Sequence, residues 1–419
     1  MGKKKIGAII GLSIAGAIVL TVAGFAIGNA CERNDLLKYV STFDPVSYDS
    51  QLAPTYDESE GCWTFTTDND FKIMQLTDIH LGGGCLSLKQ DKMCVNALAA
   101  MISYEKPDLI VTTGDVAFAV PYIAGTFNNK NAHDIFGALM EKLGVYWTVV
   151  YGNHDTEAYD YYNREQVSNF YTSDKYTKCL FTKGPEDIYG TGNQVIKIKK
   201  TNGLINKALL LIDSNAYLKD DPLGIKWKYD NVHEDQIEWY SNTIDALSAQ
   251  NVAKLTELGL SDAENNFTTV QSLVFQHIPV KEYYTAYSNE DPANTEYLYG
   301  ENEEDHNSKI VYCPINEDNF FETMVEKGST KAMYVGHDHL NNAGYRYKGI
   351  ELSYGMSLDY LAYTGIHKFG RQRGCSLISV NADSSYQTVH ENYYQDKYVS
   401  KYEKEQVSMD YYYPSNHAE

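Results

Sequence analysis

Five short segments constrain this chain more than anything else in it. They are Thr77-Asp78-Ile79-His80, Gly114-Asp115, Gly152-Asn153-His154-Asp155, Gln276-His277 and Gly336-His337-Asp338-His339. Each follows an apolar run that reads as a strand. Carboxylates and imidazoles are thus delivered at strand ends, where open sheets place their sites. The chain has only 11 His in 419 residues, and five of them fall in these segments. That grouping points to a two-metal hydrolytic centre.

Taken singly, the segments say little. Asp-x-His is common, Gly-Asp is a turn signal, and Gly-Asn-His-Asp suits a hairpin turn. A lone His277 reads first as a core histidine. The ordered set, each member after a strand, is what carries the metal reading. Two nearby divalent ions need a bridging carboxylate and a mixed set of imidazole, carboxylate and amide ligands. Asp78 and His80, two residues apart, can serve one ion. Asp115 follows a Gly that permits close backbone approach and suits the bridge. Asn153 offers a neutral amide oxygen, and His154 beside it is placed to protonate a leaving oxygen. His337 and His339 alternate, so one can serve each ion.

The rest of the chain supplies the frame. Strands are expected at 71–77, 108–113, 145–151, 208–212, 272–275, 332–335, 350–354 and 376–380, and helices at 89–104, 134–143, 234–250 and 319–327. The strand–helix–strand rhythm implies a layered α/β core. One catalytic domain is expected over 66–392, with polar insertions at 156–194 and 281–318. Residues 31–65 read as a stalk or linker, and 393–419 as a Tyr-rich C-terminal tail.

The N-terminus carries Lys3, Lys4 and Lys5, followed by no charge from Ile6 to Cys31. A helix of that length spans about 39 Å, enough to cross a bilayer. Residues 1–30 are therefore expected to be a membrane anchor or signal segment, with the catalytic domain outside the cytoplasm, anchored or secreted. A lipidated Cys31 is a third possibility. The seven Cys contain no CxxC pair, which disfavours a zinc ribbon. Up to three disulfides or a set of buried thiols both fit. A net charge of −21 argues against a nucleic-acid partner. An anionic substrate would need local attraction, most simply from bound cations. The 36 Tyr read chiefly as packing groups with wetted hydroxyls.

The motif set, in order, resembles the calcineurin-like metallophosphoesterase superfamily over residues 71–380. Gln276-His277-Ile278-Pro279, Gly336 to Asn342, and Gly370-Arg371 with Arg373 look like its single-domain branch related to purple acid phosphatases. The resemblance implies a four-layer α-β-β-α sandwich holding two divalent or trivalent ions (Mn, Fe or Zn). It assigns Asp78, His80 and His339 to one ion and Asn153, His277 and His337 to the other, with Asp115 bridging. His154 takes the acid role, and Asp155 orients His154 or the local loop. Arg371 and Arg373 are candidates to hold a substrate phosphate. Two departures are visible. Purple enzymes carry Tyr three residues after the bridging Asp, where this chain has Phe118, so a colourless centre is expected. The Gly-Asp-x-x-Asp-Arg-Gly of protein serine/threonine phosphatases is absent. The expected activity is hydrolysis of phosphate monoesters on small phosphorylated substrates by a metal-bound hydroxide. Phosphodiester hydrolysis is the alternative, and an inactive surface binding protein is the alternative of another class.

Overall fold

The computed structural model describes residues 3–260, 267–304 and 310–412, with side chains from residue 19 onward. The chain opens with a long helix, α1 (Lys3–Ser41), then strands β1 (Thr55–Asp57), β2 (Cys62–Thr66) and β3 (Phe71–Leu76). Helix α2 (Leu88–Glu105) leads to β4 (Leu109–Thr113). Helices α3 (Pro121–Ala124) and α4 (Asn129–Leu143) precede β5 (Trp147–Val150) and α5 (Arg164–Tyr171). Next come β6 (Gln194–Lys199), β7 (Ile205–Leu211), α6 (Glu234–Leu258), β8 (Ser272–Phe275), α7 (Glu282–Ser288) and β9 (Thr295–Tyr299). The chain continues through α8 (Phe320–Lys327), β10 (Thr330–Val335), β11 (Gly344–Tyr347), β12 (Ile350–Tyr354), β13 (Gly374–Val380) and β14 (Tyr386–Asn392).

The strands form two sheets, a five-stranded one in the order β14-β13-β3-β4-β5 and a nine-stranded one in the order β1-β2-β6-β7-β8-β10-β12-β11-β9. Alternation along the central strands decides what each face buries. In β4, Leu109 and Val111 point between the sheets while Ile110 points to the helices. In β8, Leu273 and Phe275 face the other sheet and Val274 faces away. In β10, Ala332 and Tyr334 face inward and Met333 and Val335 outward. Because both faces are covered, these strands read as continuous apolar runs. Three cores result. One lies between the sheets, one under α1, α2 and α4, and one under α6, α7 and α8. The chain is thus a mixed α/β fold with two sheets and helices outside them.

The segment expected to be a stalk is folded. Helix α1 runs past Cys31 to Ser41, and its Leu36 and Val40, with Phe43 just beyond, are buried among side chains of α2 and α4. Arg33 pairs with Asp134, and the Asn29 amide accepts from Cys85 N (2.8 Å) and donates to Gly125 O (3.1 Å). Heptad-like apolar spacing at 36, 40 and 43 was the available signal, hidden behind the charges of Glu32 to Asp35. Much of the expected membrane segment, residues 6–18, lies outside the residues whose side chains are described. Among the described residues no helix is long and apolar enough to cross a membrane. The expected C-terminal tail also packs on the domain, with Tyr393 and Tyr398 buried and Tyr398 Oη donating to Glu105 (2.7 Å). All seven Cys are free thiols. The insertion at 156–194 contributes α5, and that at 281–318 contributes α7 and β9, which pairs antiparallel with β11; residues 305–309 of it lie outside the described set.

Candidate metal centre

Strands β3, β4 and β5 are mutually parallel, as are β8 and β10, so the five motifs leave the same edge of the two packed sheets. Four of the delivered residues sit in left-handed backbone: Asp78 (φ 48°), His80 (φ 50°), Asp115 (φ 53°) and His337 (φ 78°). Non-glycine residues seldom hold that conformation, and where they do the surrounding structure enforces it at functional sites. The glycines beside them allow the loops to meet. A Cβ on Gly114 (φ +88°) would lie 2.4 Å from the His277 ring, and one on Gly152 would lie 2.1 Å from Asp115 Oδ1.

Two buried ligand groups emerge. In one, atoms of Asp78, His80, Asp115 and His339 all lie within 4.8 Å of one another; in the other, Asp115, His277 and His337 do. Asp115 belongs to both, the position a bridging carboxylate occupies. The amide oxygen of Asn153 lies 3.1 Å from His277 Nε2, and its Nδ2 donates to Tyr217 Oη (2.8 Å), which aims the oxygen into the second group. All seven expected ligand residues are therefore brought together.

Their buried polar atoms are left over by the protein. Asp115 Oδ2, His80 Nε2 and His337 Nε2 have no hydrogen-bond partner. Orphaned buried groups are costly, so a set of them converging on one point requires an occupant. The donor set of carboxylate, imidazole and amide oxygen suits a pair of divalent or trivalent ions.

The outer ring of contacts fixes these ligands. His277 Nδ1 donates to Thr113 O (2.8 Å), which leaves Nε2 facing the centre. Asp359 stands behind two ligands at once as an ion-pairing carboxylate. Its Oδ1 accepts from the backbone N–H of Leu361 (2.7 Å) and Ala362 (2.8 Å). Its Oδ2 lies 3.4 Å from Nδ1 of both His80 and His339. Asp359 was not evident from sequence; it follows β12 in a loop with no ligand motif, and only the fold brings it behind the two imidazoles. Burial works against its ionisation, but the adjacent His80 charge outweighs that and holds the carboxyl down at about 2.

His154 stands at the mouth with its backbone N–H donating to Asp115 Oδ1 (2.8 Å) and its Nδ1 2.8 Å from Glu157 Oε1. Glu157 is a second residue that sequence did not single out, although its i+3 spacing was visible. Burial lowers the His154 pKa, yet the charges of Asp115 and Glu157 more than compensate and raise it. Asp155 serves the loop: its carboxylate accepts from the backbone N–H of Gly152 (2.8 Å), Asp115 (3.0 Å) and Ala117 (3.0 Å). Phe118 lies edge-on to His80 and His154, with ring centroids 5.1 and 4.9 Å away, and so offers the centre a hydrocarbon edge.

Arg371 and Arg373, expected to hold a substrate phosphate, are committed elsewhere. Arg371 pairs with Glu301 and Glu303 (2.8 Å each). Arg373 is buried, stacks on Tyr360 at 3.6 Å, and donates to the carbonyls of Asp359, Phe369 and Ile366. It thereby holds the loop that carries Asp359. The cavity over the centre, about 780 Å3, is floored by His154, His337 and His339, and among the described residues neither Arg nor Lys lines it. The guanidinium chemistry that suits a phosphate is engaged by Glu301 and Glu303 at Arg371 and by buried carbonyls at Arg373.

Residues 71–349 match the calcineurin-like phosphoesterase family. The chain belongs to the calcineurin-like phosphoesterases. Among curated relatives, it is 30% identical to the protein named Probable inactive purple acid phosphatase 14 of Arabidopsis thaliana, over 71% of this chain and 73% of that one. It is 27% identical to Probable inactive purple acid phosphatase 29 of the same plant, over 76% of this chain and 78% of that one. It is 26% identical to Phosphatase DCR2 of Saccharomyces cerevisiae, over 66% of this chain and 45% of that one. Among solved structures, a dimetal phosphatase from Danio rerio aligns with a TM-score of 0.45 at 12% identity, covering 76% of this chain and 98% of that one.

Proposed function

We propose that this calcineurin-like phosphoesterase is an active two-metal phosphoric ester hydrolase whose first substrates are phosphate monoesters. The observation that carries the reading is the convergence of seven buried ligand residues on one point with unpartnered atoms, Asp115 shared by both groups. Asp78, His80, Asp115 and His339 would hold one ion, and Asp115, Asn153, His277 and His337 the other. When bound, the ions supply Lewis-acid polarisation, activation of water and neutralisation of phosphoryl charge.

The chain's own residues supply the rest. With Nδ1 held by Glu157, His154 presents Nε2 to the cavity and keeps a proton there for the leaving oxygen. Asp155 locks the loops of Asp115 and Asn153 in one geometry. The aromatic walls exclude water around the reacting group. Three relatives carry the word inactive in their names, but this chain brings all seven expected ligand residues together and pairs His154 with Glu157. That supports an enzyme over a binding protein on the same fold. The cavity volume of about 780 Å3 greatly exceeds a phosphate group and favours phosphodiesters as the second reading. The charge-free stretch that runs from Ile6 up to the part of α1 packed on the domain supports a membrane tether with the catalytic domain outside the cytoplasm.

Turnover of p-nitrophenyl phosphate and its bis ester by metal-loaded protein tests this. The monoester should be the better substrate, and Asp115→Asn and Asn153→Ala should each abolish turnover. Activity that survives both substitutions would overturn the proposal.

A further inference from the structure

The cavity over the centre has an unusual wall for a site that handles anions. Among the described residues its sides are aromatic (Phe118, Phe127, Tyr217, Trp227, Tyr229 and Tyr312), with Glu157 and Glu304 beside the histidines and no Arg or Lys. Such a wall attracts apolar surface.

A second cavity of about 730 Å3 adjoins it. This one runs beneath α1, between Val22, Phe25 and Ala26 of the helix and Gly125, Phe127 and Tyr162 of the domain. The two cavities share Pro121 and Phe127, so a surface continues from the centre to the helix, apolar along Val22, Phe25 and Ala26 and edged by Asn29, Arg33, Lys130 and Asp134. Residues along it are exposed: Tyr122 is 81% exposed, Trp227 61% and Val22 63%. A contiguous exposed apolar surface of this kind marks a binding face. Helix α1 is fixed in register beside it by the Asn29 hydrogen bonds to Cys85 and Gly125.

We propose that the substrate is an amphiphilic phosphoester, with its phosphate at the metal centre and its hydrocarbon chain passing over Phe127 into the groove beneath α1. The inference rests on the phosphoesterase reading and names the substrate class of the same site. The groove takes the chain and the aromatic wall takes the part nearest the ester.

The test uses the full, metal-loaded chain and a series of butyl, hexyl and octyl phosphates kept below micelle formation. The kcat/KM should rise with length, by roughly two- to fourfold for each methylene that becomes buried. Phe127→Asp and Val22→Asp should each flatten the series; Val22 is exposed, so that variant folds. Dissociation constants of the matching alkylphosphonates, measured by calorimetry on the same protein, should show the same slope whether or not esters are turned over. A flat series for the wild type, or a slope that survives both variants, overturns the inference. Loss of p-nitrophenyl phosphate turnover with the phosphonate slope intact would instead count against the phosphoesterase reading alone.

Discussion

At the scale of single residues, the site depends on pairs in which one side chain aims another. His154 and Glu157 are such a pair, 2.8 Å apart. Replacing His154 with Asn removes the proton donor and should lower kcat about 10²- to 10⁴-fold with little change in metal content. Glu157→Gln keeps the hydrogen bond but removes the charge that raises the imidazole pKa. The alkaline limb of the pH–rate profile, set by loss of that proton, should therefore move to lower pH. Asp359 aims both His80 and His339, so Asp359→Asn should weaken metal binding by about 10- to 100-fold at the first group only. A metal titration should then resolve one tight and one weakened site. Two equally tight sites would refute that role.

The same residues dictate a pH dependence. Burial disfavours the charged form of His277, yet Asp115 and Asp78 overcome it and raise its pKa to about 9 in the metal-free protein. A raised imidazole value stabilises the metal-free fold below pH 6.5, and that contribution is lost as the pH rises through 9. A metal ion competes with the same proton. Apparent metal affinity should therefore climb between pH 6.5 and 9, with proton release on binding. Calorimetry in buffers of different ionisation enthalpy measures that release.

At the scale of elements, the last turns of α1 are part of the folded domain. Leu36 is fully buried against α2 and α4, so Leu36→Ala should cost about 2–5 kcal/mol in chemical denaturation. A stalk would lose nothing measurable. The central strands were legible in the sequence because both of their faces are buried. Ser272–Phe275 and Ile350–Tyr354 lie where their apolar runs end. Edge strands were less visible. Tyr386–Asn392 and Thr295–Tyr299 are half-exposed and polar, and only their neighbours in the sheet give them a reason to extend. The metal ligands were readable because each follows a central strand by two to four residues. Asp359 and Glu157 were not singled out, since their roles arise from distances across the fold and not from a motif. The two arginines were misread for the converse reason: a side chain suited to phosphate is equally suited to cap buried carbonyls, and only packing distinguishes the two.

At the scale of the whole molecule, a chain of net charge −21 gathers its anion-attracting potential at one place, the ion pair that its buried carboxylates and imidazoles are built to hold. Among the described residues the surrounding cavity adds no Arg or Lys, so substrate phosphate recognition should fall with the metals. The most direct test is metal analysis coupled to turnover. Purified wild-type protein should carry two ions per chain and hydrolyse p-nitrophenyl phosphate. Exhaustive chelation should remove both properties together, and Asp115→Asn should hold fewer than two ions and show no turnover. Hydrolysis that persists in the fully chelated wild-type protein would contradict the account.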